Sequence, residues 1–207
     1  MAHPNSPGTL LLTLTLLLGT PLAAQKKPAV AAEAPAAPTI DAAYVQREFG
    51  PSFTLDAKVK PMVGELFGDG IEDLVLVASS PSPLISQSTH NYKVEDPYDR
   101  YFGNGDPKIT AQFGLHFDGS ERSILIVCNW RGASRKGGRP AKYVLINTPF
   151  ETIGLANLRL KKKQQVAIET VDRSTLHALV WWTGRQWRWS AQGMEGDDTL
   201  FKMPSEK

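Results

Sequence analysis

Glu95, Asp96 and Asp99 crowd a segment that also carries Tyr92, Tyr98, Tyr101, Phe102 and Asp106. Paired carboxylates are what general acid–base catalysis needs, and clustered aromatic rings are what a ligand platform needs. Carboxylates this close in sequence are more simply read as charges that keep a loop wet. Tyr98, Tyr101, Asp96 and Asp99 are therefore candidate ligand-binding residues. The competing reading is a hydrolase in which Glu95, Asp96 and Asp99 converge with His116 in a cleft as buried, perturbed carboxylates. Trp181, Trp182, Trp187 and Trp189 could form a carbohydrate platform, but alternation spreads them over both faces of a hairpin, so core anchoring is the expectation. His3, His90, His116 and His177 lack the short spacing of zinc ligands. Cys128 is alone in the chain and follows the apolar run Ser123–Val127, which predicts a small buried core residue and permits no intramolecular disulfide. The chain has no Gly-x-Ser-x-Gly elbow, phosphate-binding glycine loop or His-Glu-x-x-His, so the balance leans away from an enzyme.

A second string joins acidic residues to turn residues: Gly64-Glu65-Leu66-Phe67-Gly68-Asp69-Gly70-Ile71-Glu72-Asp73, followed by Leu74-Val75-Leu76-Val77. A calcium loop places oxygen donors at alternate positions and a glycine at its sharp turn. This string resembles an FG-GAP repeat, a calcium-loop motif that precedes an aliphatic strand. The resemblance implies Glu65 at the first ligand position, Asp69 at the third and Asp73 as the last carboxylate, with Gly70 making the turn. Phe67 stands at the middle ligand position and offers no side-chain oxygen. The resemblance occurs once, and the chain is too short for a propeller of several repeats, so it implies at most one blade-like hairpin and a possible calcium site. The alternative is a structural turn with no cofactor, in which Asp69-Gly70 supplies geometry and Asp73 caps the strand start. The missing donor at Phe67 favours that alternative.

Composition sets the frame for both sites. With 42% hydrophobic and 21% charged residues over 207 positions, the chain is long enough for one well-buried core. A net charge of +2 argues against nucleic acid as a partner, and Lys161-Lys162-Lys163 is explained by a solvated turn between strands. Residues 1–24 read as a cleavable signal peptide: Leu10–Leu18 is apolar, Gly19 and Pro21 break the helix, and Ala23 and Ala24 supply small residues for cleavage. The apolar run is shorter than the roughly 20 residues a bilayer needs, so no stable membrane span is expected after cleavage. Residues 25–38, rich in Ala and Pro, read as a linker.

The folded domain is expected over residues 39–200, with 201–207 as a tail. Thr39 is the expected cap of a short helix ended by Gly50-Pro51. Strands are expected at Asp73–Ser79, Ile109–Phe117, Ser123–Cys128, Ala141–Asn147, Gln165–Val171, Leu176–Thr183 and Gln186–Ala191. The last two form a hairpin around Thr183-Gly184-Arg185, with Leu176, Ala178, Val180 and Trp182 on its buried face. Ser79–Pro107 and Arg131–Pro140 read as long loops. The expected fold is mainly β, an antiparallel sheet or sandwich with a short N-terminal helix. The expected function is that of a secreted or periplasmic, non-catalytic domain that binds a protein or glycan partner in the envelope through its long loops. A hydrolase of envelope or extracellular polymer and a structural accessory of an envelope complex are the alternatives.

Overall fold

The structure is a computed structural model that describes residues 38–113, 122–131, 141–160, 163–192 and 200–202. The segments expected to be a signal peptide and, nearly all of it, a linker, together with His116, most of Arg131–Pro140, and Lys161 and Lys162, lie outside the described residues. In chain order the elements are α1 (Ala42–Phe49), β1 (Thr54–Leu55), β2 (Met62–Gly64), β3 (Asp73–Ser79), α2 (Gln87–His90), β4 (Tyr92–Glu95), α3 (Pro97–Tyr101) and α4 (Pro107–Phe113). Then come β5 (Arg122–Val127), β6 (Lys142–Leu145), β7 (Thr152–Leu160), β8 (Lys163–Val171), β9 (His177–Trp182), β10 (Trp187–Ala191) and β11 (Leu200–Lys202).

The protein is mainly β, built from two sheets. The first has the order β1-β3-β5-β6-β4, with β2 also paired to β3, and the second has the order β10-β9-β8-β7-β11. All pairs are antiparallel except β4 with β6, which run parallel. The inner faces of the sheets meet in a shared core. Val75, Val77, Ile124, Ile126, Tyr143 and Leu145 from the first sheet pack with Ile168, Val180, Trp182, Trp187 and Trp189 from the second. The opposite face of the first sheet is covered by α1. There Tyr44, Val45 and Phe49 pack with Leu74, Leu76, Leu125 and Val144. A strand buried on both faces loses the apolar–polar alternation of a half-exposed one, which is why the interior of β3, between Asp73 and Ser79, reads Leu-Val-Leu-Val-Ala without a polar position.

Several expectations are corrected. Asp41, not Thr39, caps α1, its side chain accepting the Tyr44 N–H at 2.8 Å. Of the strand expected at Ile109–Phe117, the described part, residues 109–113, is helical. Asp106-Pro107 starts a helix there, with the Asp106 carboxylate accepting the Lys108 N–H at 3.0 Å, and the period-two spacing of Ile109, Ala111 and Phe113 is overridden by that cap. Ser79–Pro107 is no bare loop, because it holds α2, β4 and α3. The strand β7 was hidden by Gly154 and Asn157, which interrupt its apolar pattern, and β11 reaches Lys202, inside the stretch expected to be tail.

The hairpin agrees closely with expectation. Ala178, Val180 and Trp182 face the shared core, although Leu176 precedes the strand and stays partly exposed. Gly184, with φ at 96°, allows the turn, which the Thr183 N–H closes by donating to the Gln186 carbonyl at 3.0 Å. All four hairpin tryptophans are buried, as is Cys128. No helix among the described residues is long and apolar enough to cross a membrane.

Candidate functional site

The FG-GAP-like string folds as a turn in which Glu65, Asp69 and Asp73 all accept backbone N–H groups. Asp73 is fully buried, its two oxygens accepting the Leu66 N–H at 2.8 Å and the Asn129 N–H at 2.9 Å. Glu65 accepts the Asp69 N–H at 2.9 Å, and Asp69, at the exposed tip, accepts the Ile71 N–H at 3.1 Å. Gly68 and Gly70 have φ of 71° and 80°, the left-handed conformation in which glycine is favoured. Phe67 turns inward and packs edge-on against Trp182 and Trp187 with ring centroids 5.3 and 5.4 Å away. The side chain that breaks the ligand pattern is thus a core residue. Among the described residues, no three His, Cys, Asp or Glu side chains gather as a metal ion would require.

The carboxylates around α3 are not solvated, contrary to their reading as wet loop charges. Glu95 and Asp96 are fully buried and Asp99 nearly so, because each is needed to satisfy buried backbone or a buried side chain. Asp96 caps α3, accepting the Asp99 N–H at 2.9 Å, and Pro97 takes the first helical position, where its missing N–H costs nothing. Asn147 knits the pair together. Its Nδ2 donates to Asp96 at 2.6 Å, to Asp99 at 3.3 Å and to the Thr110 carbonyl at 3.1 Å. It holds φ at 56°, a conformation asparagine tolerates better than most residues. Nothing in the sequence marked Asn147, which lies just beyond β6.

Glu95 does a different job. The strand β10 is an edge of the second sheet, and an edge strand leaves backbone groups unpaired. Glu95 accepts the Trp187 N–H at 3.1 Å, and Arg100 Nη1 donates to the Trp187 carbonyl at 3.2 Å. Arg100 Nη1 also donates to Glu95 at 2.9 Å, and Lys93 pairs with the other Glu95 oxygen at 2.8 Å. The helix α3 and the end of β4 therefore stand where a further strand would pair.

Between α3 and β10 lies a cleft of ≈ 250 Å³, walled by Pro97, Arg100 and Tyr101 on one side and by Trp181, Gln186, Trp187, Arg188 and Trp189 on the other. Of the four candidate ligand-binding residues only Tyr101 lines it. Tyr98 is half-buried beneath, its ring 4.9 Å from that of Trp189. Asp96 and Asp99 act from behind, fixing α3. Asp106 is exposed and caps α4, so it does not join them. Arg100, Gln186 and Arg188 were missed. The only sequence signal for Gln186 and Arg188 is the run Arg185-Gln186-Trp187-Arg188-Trp189, in which polar residues alternate with aromatic ones, and Arg100 has none.

Burial, and then the negative charge of Asp96 and the hydrogen bond shared with it, push the Asp99 carboxyl up from 3.8 to about 6, while Asn147 acts in the opposite sense. A carboxyl whose pKa is raised by folding binds its proton more tightly in the native state. Its contribution to stability is therefore fully present below about pH 4 and is lost as pH rises through about 6. The full shift corresponds to about 3 kcal/mol, which residual solvent screening reduces to about 1–2 kcal/mol. Asp99→Asn keeps an acceptor for Asn147 and removes the charge. It should be more stable than the wild type by that amount at pH 8 and no more stable at pH 4, as urea unfolding at the two pH values will read. Equal differences at both would separate Asp99 from the titration.

Comparison with protein families, with curated proteins and with solved structures finds no match for the chain.

Proposed function

We propose that the chain is an exported, non-catalytic binding domain whose ligand occupies the cleft between α3 and β10. The observation that carries this reading is the composition of the cleft walls: three tryptophans, a tyrosine, two arginines and no carboxylate. Binding sites favour such walls, where large apolar faces surround a few fixed polar groups. Tyr101, in the cleft wall, and Phe102, packed on it, stay 46% and 61% exposed, which is unusual for adjoining rings that could have been buried. The amino-terminal signal pattern supports export, with the ligand then in the envelope or outside the cell.

A hydrolase is favoured by one feature, the Asp99 carboxyl held beside Asp96, whose pKa burial and that neighbour push up to about 6. Against it, neither carboxylate lines the cleft, and both are engaged by Asn147 and the backbone of α3. Sedimentation with the envelope fraction of the producing cells tests the binding reading. The wild type should pellet, and a Tyr101→Ala/Arg188→Gln double variant should stay in solution with an unchanged melting temperature. Release of reducing ends from that fraction, abolished by Asp99→Asn, would instead establish the hydrolase.

A further inference from the structure

We infer that the cleft between α3 and β10 takes an acidic saccharide, a glycan bearing uronate carboxylates, with a sugar ring against Tyr101 and Phe102 and the carboxylate on Arg188. This inference rests on the binding reading above and names its ligand class. The aromatic rim is held, not loose. Phe102 packs on Tyr98 at 5.1 Å, and Tyr101 packs on Trp189 at 5.2 Å. Tyr101 and Phe102 meet at 87°, so they offer separate faces and no coplanar stack for successive nucleobases. One exposed ring face suits one pyranose, whose C–H groups pack on the electron-rich side of an aromatic ring.

The charge of the cleft selects an anion. Arg188 is exposed and has no carboxylate partner among the described residues, and its planar guanidinium matches a carboxylate bidentately. Arg100 adds a second guanidinium, held in place by Glu95 and the Trp187 carbonyl. A flat apolar face and a carboxylate occur together in a uronate sugar. A neutral glycan lacks the charge, and a simple polyanion lacks the face.

The test is a fluorescence titration of the purified protein with a short oligogalacturonate, with maltotetraose as the neutral control and polyphosphate as the polyanion control. Oligogalacturonate should perturb the tryptophan emission saturably. Arg188→Gln should weaken it about tenfold and Phe102→Ala several-fold. Arg185→Gln, which alters a neighbouring exposed arginine outside the cleft, should leave it unchanged. Equal affinity for maltotetraose would remove the carboxylate contact. Tight binding of polyphosphate that depends equally on Arg185 and Arg188 would reduce the site to a non-specific basic patch. If no glycan binds while the protein still pellets with envelope material through Tyr101 and Arg188, the uronate assignment falls and the cleft reading survives. If both fail, both fall.

Discussion

Trp187→Ala should destabilise the protein by about 3–5 kcal/mol, a large share of the 5–15 kcal/mol that holds a domain of this size. The ring is fully buried between the sheets, in contact with Phe67, Tyr143 and Trp182 at centroid distances of 5.4, 5.9 and 5.7 Å. Its removal leaves a cavity that three other large aromatic side chains cannot collapse to fill. Its backbone is pinned as well, because Glu95 and Arg100 hold its N–H and carbonyl. Trp189→Ala should cost less, because two of its ring neighbours, Tyr101 and Phe102, are themselves exposed and can settle onto the gap. Urea unfolding of both variants gives the comparison. Two variants that unfold like the wild type would mean that the hairpin does not close the core.

Asp73→Ala is the second large effect, expected at about 3–5 kcal/mol. Two buried backbone N–H groups, of Leu66 and Asn129, lose a charged acceptor at once, and a hydrogen bond to a charged group is worth about 1.5–3 kcal/mol. The bond to Asn129 ties the start of β3 to the end of β5, so the loss opens the sheet as well as the turn. Asp69→Ala, at the exposed tip, should cost under about 1 kcal/mol. Chelator should barely move the wild-type melting temperature, since the Asp73 oxygens already serve backbone donors. Stabilisation by millimolar calcium that vanished in Asp69→Ala would reverse this and make the FG-GAP resemblance functional.

The legible parts of the fold were those with long-range consequences written into a local pattern. The β3 boundaries follow from an aliphatic run after a turn, and the β9–β10 hairpin follows from alternation around Thr183-Gly184. Short polar elements were not legible. The strand β4 has only four residues, of which Lys93 and Glu95 are charged, yet Glu95 is among the most buried groups in the protein. Its burial makes sense only once β10 is beside it, and Glu95 and Trp187 are 92 positions apart in the chain. The cleft was illegible for the same reason. Tyr101 could be singled out from its segment, but nothing local says that Arg100 and Arg188 face a common space. The helices α3 and α4 carry a clearer lesson. Asp96-Pro97 and Asp106-Pro107 are both helix starts, and they outrank the loop and strand readings of the residues that follow.

The binding cleft is the centre of this account, and the indole N–H signals of the five tryptophans report on it residue by residue. A proton–nitrogen correlation spectrum, recorded while oligogalacturonate is added, should move the Trp187 and Trp189 signals and that of Trp181, which line the cleft. Trp130, packed in the layer beneath α1, should hold still. A spectrum in which Trp130 moves and the cleft tryptophans do not would place the ligand elsewhere and contradict the account.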